Sequence, residues 1–537
     1  MDKNKKIIKV DENKCINCQA CIKECPVKIC NEVSNDHVTV NNDLCLACGA
    51  CIDVCKQNAR KGIDDIDKLK EVFNNPEKKA VAVISPTIAS NFPGSYLKIN
   101  TFLKENNFDL CINSSVGAEI AAKTYKEKLD NSNANTILTA NCPSIVTYVE
   151  KYKPELKSYL INSASPIIHT VRMIRNYKIK YKNAEFFAFT PCYSKSKEFE
   201  ELDENINNIT FRSLKNFWQN NNIDINKFEK SKYDYDTVNK GAFYPLPDGM
   251  KDILNFHYPE FDGKYRGVNG KENIYDYLDK LPESILKNVA PDIVNCQNCK
   301  NGCNLGHGTL NRLDKNNKPV DVIEIEASKL HEEIKSNENT VKSLKKKYWK
   351  KELYHRDFHE YDNIYWKEPT EQELQNIYNK MNKFSSKDIY DCGACGYETC
   401  QDMARAIFND VNKPKNCHHY HKLKLKRENK KDKKYISKLS KAHDNFMEKL
   451  QKDSENLYIS VSDLIDEIHD DNDELKKELK NILVKYNISE EMIILIRRFG
   501  KNYTDTIKKI QKQLRHMQDK SLIIRKSINK VTDMKEE

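Results

Sequence analysis

From about residue 78 the chain alternates short apolar, β-branched segments with amphipathic ones. The stretch "KAVAVISPTIAS" is a continuous apolar run ending at a proline, the pattern of a buried strand. "FDLCINSSVGAEIAAKTYKEKL" reads as strand, turn and helix, and the same order returns in "NTILTANCPSIVTYVEKYK" and "NAEFFAFTPCYSKSKEFEE". Strands alternating with helices predict α/β units on a parallel sheet. Ligands in such sheets bind beyond the carboxyl ends of the strands. The C-terminal part is patterned differently. Ile507, Ile510, Leu514, Met517, Ser521, Ile524, Ile528 and Val531 recur three and four residues apart, and all but Ser521 are apolar. That spacing predicts a coiled-coil seam. A less regular stripe runs from Phe446 to Leu483. A seam specifies association and not its purpose, so a helical hairpin on its own core and a dimerising signalling stalk both fit it. Neither stretch carries a catalytic motif or a kinase-type glycine loop.

A chain of 537 residues is long enough for three or more domains. Its opening, "MDKNKKIIKV", is polar and leads directly into a cysteine motif, so no signal peptide is expected there. No apolar run approaches the roughly 18 residues a membrane span needs. The expectation is a reducing, cytoplasmic compartment, where close cysteine spacing favours metal over disulfide. The formal charge of +10 does not make nucleic acid an expected partner. Iron-bound thiolates add negative charge that the formal count omits. The lysines are interspersed with Asp, Glu and Asn, and the run from Lys413 to Lys434 reads as a solvated face.

The 19 cysteines are unevenly placed. "CINCQACIKECP" gives Cys15, Cys18, Cys21 and Cys25, and "CLACGACIDVC" gives Cys45, Cys48, Cys51 and Cys55. Each set has the spacing C-x2-C-x2-C-x3-C. A cubane needs four thiolates at tetrahedral corners, and two-residue gaps let one short loop supply three of them. In two-cluster ferredoxins the fourth cysteine serves the other cluster. Cys15, Cys18 and Cys21 therefore pair with Cys55, and Cys45, Cys48 and Cys51 with Cys25. Zinc, the alternative, rarely uses this doubled spacing. Lys56 stands where a proline usually follows. Cys30 falls outside the pattern and reads as a small buried hydrophobe.

The remaining cysteines are more scattered. Cys142 and Cys192 each follow a predicted strand, in "NCP" and "TPC". "CQNCKNGCNLGHGT" adds Cys299 and Cys303, with glycines at 302, 306 and 308 that would let the backbone approach a bulky ligand. Four thiols from three loops would then converge on one site. In order and local context, "ANCPSIVTYVEKYKPEL…SASP", "TPCYSKSKE" and "CKNGCNLGHG" resemble the three signatures of the catalytic domain of the iron-only ([FeFe]) hydrogenases, over roughly residues 78 to 310. The cofactor of that family is the H-cluster, a [4Fe-4S] cubane bridged through one cysteine to a two-iron subsite carrying CO, cyanide and a dithiolate. The resemblance implies that Cys142, Cys192, Cys299 and Cys303 hold the cubane, with Cys303 as the bridging thiolate. It implies that Lys195 donates to a cyanide, and that Ser85 and Pro86 line the dithiolate pocket.

The departures from the family pattern are as informative. Hydrogen-producing members have two adjacent cysteines in the first signature, one of which relays protons. Here Cys142 is kept and the relay position is Asn141, whose amide is a poor general acid or base. Lys123 to Tyr125 align where the family uses glutamates, and Thr190 stands where it has methionine. The segment between Cys192 and Cys299 is also shorter than in the well-known enzymes. Together these imply a sensory or slow branch, catalysing 2H⁺ + 2e⁻ ⇌ H₂ without a fast proton wire. A plain cubane, as in the hydrogenase-like iron–sulfur proteins of eukaryotes, stays open, as does pure electron transfer. Cys296 makes C-x2-C-x3-C with its neighbours and could feed a different cluster. His307 reads as a hydrogen-bonding loop residue and Cys111 as core.

Finally, "DCGACGYETCQDMARAIFNDVNKPKNC" gives Cys392, Cys395, Cys400 and Cys417, spaced C-x2-C-x4-C-x16-C. This resembles the small four-cysteine [4Fe-4S] domain of several anaerobic redox proteins, with zinc as the alternative. The expected architecture is a multi-domain α/β protein. A ferredoxin-like 2[4Fe-4S] module occupies 1–62, an α/β hydrogenase-like domain 78–310, helices and a linker 311–385, the four-cysteine domain 386–421, and a helical coiled coil 422–537. Expected partners are ferredoxin or another redox protein, H₂ and protons, a signalling partner or second copy met through the coiled coil, and neither nucleic acid nor a membrane span.

Overall fold

The protein is described by a computed structural model covering residues 6–467, except residues 35 and 337 and the segments 132–135, 236–238, 314–317 and 362–365. The seam from Ile507 to Val531 lies outside the described residues. So do residues 468–483 of the earlier stripe. The chain divides into two units, Met1–Lys424 and Leu425–Glu537.

At the start of the first unit, β1 (Ile8–Val10) pairs antiparallel with β4 (Arg60–Gly62), and β2 (Asn31–Val33) pairs with β3 (Val38–Val40). The helices Ala20–Glu24 and Ala50–Val54 pack on each other between them. The sequence repeat is also a backbone repeat. Asn17 and Gln19 have φ of 51° and 60°, and the matching Ala47 and Gly49 have 54° and 80°. Alternating left-handed residues curl each loop so that three cysteines face one way, at the steric cost that all but glycine carry in this region.

Two parallel sheets follow. β5 (Ala80–Ile84), β6 (Phe108–Asn113), β8 (Glu185–Thr190) and β9 (Ile206–Thr210) form one, in the order β6-β5-β8-β9. β7 (Ile137–Leu138), β10 (Tyr265–Asn269) and β11 (Ile293–Gln297) form the other, in the order β10-β11-β7. Every residue of β5 and of β11 is buried; β5 accordingly reads as an unbroken apolar run, whereas β11 buries the polar side chains of Asn295 and Gln297 as well. The helices Ser115–Asn131 and Pro166–Tyr177 cross closely. The crossing passes over Gly117, where a Cβ would fall on the Pro166 carbonyl.

The stretch after residue 311 packs on this core. Leu330 and Ile334 of helix Val320–Ile334, Leu344 of helix Glu338–Tyr348, and Tyr354 all join the cluster that contains β5 and β8. Arg356 is buried beyond them. The helices Glu371–Lys380 and Cys400–Phe408 then pack together in the four-cysteine region. A final helix of 48 residues runs Tyr420–Glu467. Among the described residues no helix is long and apolar enough to cross a membrane.

Candidate metal centres

In the N-terminal module, Cys25, Cys45, Cys48 and Cys51 line one cavity, the grouping expected when the fourth cysteine of one motif crosses to the other. Cys30, read from sequence as a small buried hydrophobe, is buried as expected and also lines the same cavity. Its Sγ lies 3.6 Å from that of Cys25. Nothing in its spacing marks it, because the turn Pro26–Ile29 carries it back to the cavity. Burial pushes the Cys21 thiol up to about 11 and that of Cys51 up to about 12. Such thiols give up their protons only to a metal that replaces them.

Arg60 is the second feature that sequence reading missed. It is 4% exposed, and its guanidinium faces Cys51 and Cys21, one thiol from each set. Nη2 donates to the Val38 carbonyl at 3.3 Å, and Nη1 is buried without a protein hydrogen-bond partner. A buried cation needs a compensating anion. Two anionic cubanes on either side of the guanidinium would supply it, so the residues present fit the group.

The module is fastened to the parallel sheets through Asp53, on the helix between Cys51 and Cys55. Its carboxylate accepts from Arg312 Nε at 2.7 Å and Arg212 Nη2 at 3.2 Å, and lies 2.7 Å from His307 Nδ1. Burial alone would raise this carboxyl, but His307, Arg312 and Arg212 hold it well below the usual carboxylate range. His307 is thus a paired loop residue, as expected, and its ring packs under Gly49.

The second constellation sits at strand ends. In the four-stranded sheet the chain order reverses between β5 and β8, the crevice where parallel sheets bind ligands. Ser85 and Pro86 follow β5 and Cys192 follows β8. Cys142 follows β7, and Cys299 follows β11 in the other sheet. Cys142 is the N-cap of helix Pro143–Tyr152, with proline at the first helical position, and its carbonyl accepts from the amides of Ile145 and Val146, each at 3.0 Å. Each of the four cysteines keeps some accessible area, and Cys142 packs against the apolar cluster that contains β7 and β11. Burial, then the charges of Cys142 and Cys192, pushes the Cys303 thiol up to about 12. Burial, then the charges of Cys192, Cys303 and Cys142, pushes Cys299 well above its ordinary value. Four thiols from three loops therefore share one electrostatic neighbourhood.

The glycines of the third loop do a different job from the one their spacing predicts. Gly302 has φ of +77° and passes against Pro245. A Cβ at Gly306 or Gly308 would collide with Pro191, the residue before Cys192. The Gly308 amide donates to the Pro191 carbonyl at 2.8 Å. These glycines seat the third loop on the second and so bring Cys303 towards Cys192.

Lys195 starts helix Lys195–Glu201 and is nearly buried. Its Nζ donates to Glu198 Oε2 at 2.6 Å and to the Asn141 carbonyl at 3.3 Å. Glu198 is fully buried and also accepts from Ser165 Oγ at 2.9 Å and from Arg356 Nη1 at 3.3 Å. Burial opposes its ionisation, but Lys195 and Arg356 hold its carboxyl below the usual value. The ammonium is thereby aimed between Asn141 and the thiols, and Arg356, distant in sequence, supports it. The Tyr244 phenol faces Ser114, Cys303 and Ser85, while Ser114 Oγ and Asn304 Nδ2 are buried without protein partners. Orphaned polar groups beside four gathered thiols fit a bulky ligand with polar, anionic groups. Of the other candidates, Cys111 lies in β6 and Cys296 in β11, both buried in the sheets. Lys123 sits over the Trp349 ring, and Tyr125 is buried beside Asn141.

Tyr275 connects the two constellations. Its ring is buried, and its hydroxyl donates to Asn298 Oδ1 at 2.6 Å. The charges it feels are those of Cys48, Cys142 and Cys25. In the third constellation Cys392, Cys395, Cys400 and Cys417 line one cavity together with Met381 and Met403. Thr399 and Asp402 form a capping box that starts the helix at Cys400.

Three sequence models of known families match the chain. They are a 4Fe-4S dicluster domain over 7–56, the iron-only hydrogenase large subunit, C-terminal domain, over 78–327, and an Fe-S cluster family over 390–419. Among characterised proteins, Iron hydrogenase 1 of Clostridium pasteurianum is 23% identical over 418 residues, covering 64% of this chain and 72% of that protein. The Cytosolic Fe-S cluster assembly factor NAR1 of Saccharomyces cerevisiae is 32% identical over 127 residues, covering 22% of this chain and 26% of its own length. Among solved structures, a variant of the [FeFe]-hydrogenase HydA1 from Chlamydomonas reinhardtii aligns over 55% of this chain and 99% of that one, at 13% identity and a TM-score of 0.41. Residues 78–327, a little under half of the chain, therefore resemble the C-terminal domain of the iron-only hydrogenase large subunit, with a match to a 4Fe-4S dicluster domain before that region and to an Fe-S cluster family after it.

Proposed function

We propose that the protein is an iron–sulfur redox protein whose central domain binds an H-cluster and reacts with H₂ slowly, as a sensor of hydrogen or redox state or as a slow, reversible hydrogenase. The observation that carries this reading is the gathering of Cys142, Cys192, Cys299 and Cys303 into one buried neighbourhood beside the Lys195 ammonium. These four thiols would hold the cubane, with Cys303 bridging to the two-iron subsite. Lys195, fixed by Glu198, would donate to an anionic diatomic ligand, and Ser85 and Pro86 would wall the far side. A bound two-iron unit supplies the chemistry of H₂ cleavage and formation. Asn141 offers a carbonyl that holds Lys195 and an amide that does not titrate, so proton delivery at that position is slow. The N-terminal clusters, held by Cys15, Cys18, Cys21 and Cys55 and by Cys45, Cys48, Cys51 and Cys25, carry electrons to or from it. A ferredoxin or similar one-electron protein is the external partner, and the C-terminal segment, whose spacing predicts a coiled coil, is the route to a signalling partner or a second copy.

A second reading has its own support. Asn141 and the match to NAR1, itself named a cytosolic Fe-S cluster assembly factor, favour a plain [4Fe-4S] cluster in an electron-transfer or signalling protein without hydrogenase activity. Infrared spectroscopy separates the two. Anaerobic protein co-produced with hydrogenase maturation factors is expected to show bands of iron-bound CO and cyanide. Their absence, with full cubane content and a working maturation control, would leave the second reading.

A further inference from the structure

We infer that the C-terminal four-cysteine site exchanges electrons directly with the N-terminal dicluster, across the contact between Gly396 and the segment Gln19–Lys23. This rests on the reading that both sites hold [4Fe-4S] clusters, and it adds where the C-terminal cluster joins the chain of centres.

The contact is made by the neighbours of the thiols on both sides. Gly396, next to Cys395, has φ of +84°, and a Cβ there would lie 2.8 Å from Ile22 Cβ and 2.9 Å from both the Gln19 carbonyl oxygen and the Lys23 nitrogen. Its loop therefore lies flat against the helix that carries Cys21. Lys28 Nζ donates to the Gly396 carbonyl at 3.2 Å and to the Lys23 carbonyl at 3.4 Å, tying loop to helix end. Asn17 and Gln19 flank Cys18, and both donate to Asn416, the residue before Cys417, each at 3.0 Å. Farther along, the Val33 amide donates to the Val411 carbonyl at 2.9 Å.

The space between is dry. Cys21, Cys395 and Cys417 belong to one buried apolar cluster with Ile22, Tyr397 and Met403. The Tyr397 phenol feels the charges of Cys395 and, from the other module, Cys25 and Cys30. The two sites thus share one core rather than a hydrated interface, and few covalent bonds, hydrogen bonds and packed contacts separate them. In each transfer the reduced cluster, [4Fe-4S]⁺, loses one electron and its [4Fe-4S]²⁺ neighbour gains it, with no bond formed or broken and no proton moved. A low-potential one-electron carrier, dithionite in the test, supplies the electrons.

The test is electron paramagnetic resonance on the fully reduced, cluster-loaded full-length protein and on Cys392→Ala, which removes an exposed thiol and spares the buried contact. Iron and sulfide content are measured alongside. In the wild type, the signals of the C-terminal and N-terminal clusters are expected to broaden and relax each other magnetically. In Cys392→Ala, one cluster's iron and spin should be lost, and the N-terminal signals should narrow and relax more slowly. Gly396→Leu, which separates the modules, should give the same narrowing with the iron content kept. Spectra that simply subtract, with unchanged N-terminal linewidth and relaxation, would overturn the coupling. Equal iron in wild type and Cys392→Ala would overturn the cluster reading beneath it.

Discussion

Arg60 offers the sharpest test of the N-terminal module. Its guanidinium lies between the two thiol sets, largely buried, with one thiol of each facing it. Reducing either cluster adds one negative charge close to this cation. At an effective dielectric of about 20 and a separation of roughly 7 Å, that interaction is worth about 2 kcal/mol. For a one-electron couple this corresponds to a shift of about 90 mV. Arg60→Leu is therefore expected to lower the midpoint potentials of both N-terminal clusters by about that much, more for the cluster that includes Cys51. Arg60→Lys, which keeps the charge on a shorter donor set, should recover most of the shift. The assay is a redox titration followed by electron paramagnetic resonance, with iron content confirming that both clusters are present. Unchanged midpoints in the leucine variant would refute the reasoning. So would equal shifts in both variants, which would trace the effect to packing rather than charge.

Other expectations follow from buried groups and close crossings. His169 is fully buried, stacks on Tyr354, and has its pKa lowered to about 3 by burial. The unfolded chain protonates this imidazole below about pH 6.5 and the folded chain does not, so its contribution is complete above that pH and is lost as pH falls towards 3. Between pH 7 and pH 5 it should cost about 2 kcal/mol, read from urea midpoints, and His169→Phe should flatten that part of the profile. Gly117→Ala drives a methyl group into the Pro166 carbonyl and should lower stability by about 1–3 kcal/mol, seen as a lower melting temperature. Asn141→Cys should raise H₂ turnover about a hundredfold or more if the proton relay is all that the H-cluster site lacks. No gain would point to a pocket built for sensing or for a plain cubane.

Much of this arrangement was legible in the sequence because cysteine spacing and apolar runs are local signals. The strands β5, β6 and β8, and the helices after β6 and β8, lie where the patterns put them, and Cys142 and Cys192 stand at strand ends. The division into two parallel sheets was not legible, because β7 is a two-residue strand whose partner β11 lies far along the chain. The places of Cys30 and Arg60 in the cavity wall were also missed, although Cys30 is buried as expected. Each reaches its cavity through a turn that brings it back beside residues its own spacing does not match. The glycines of the third loop were noticed and misassigned, since permission for close approach does not say which neighbour approaches. Glu198 and Arg356 show the same limit: a buried charge is identified by its partner, and these partners are distant in sequence.

The Asp53 hub constrains how such a protein can be assembled from parts. Modules of this kind invite transplantation, yet one carboxylate on the ferredoxin-like helix is the shared partner of Arg212, Arg312 and His307 of the neighbouring domain. A foreign module lacking an acid at that place would leave two partly buried arginines without their shared carboxylate, an unfavourable arrangement whatever the quality of its own clusters. A successful chimera would have to carry Asp53 with the donor module or remove Arg212 and Arg312 from the recipient.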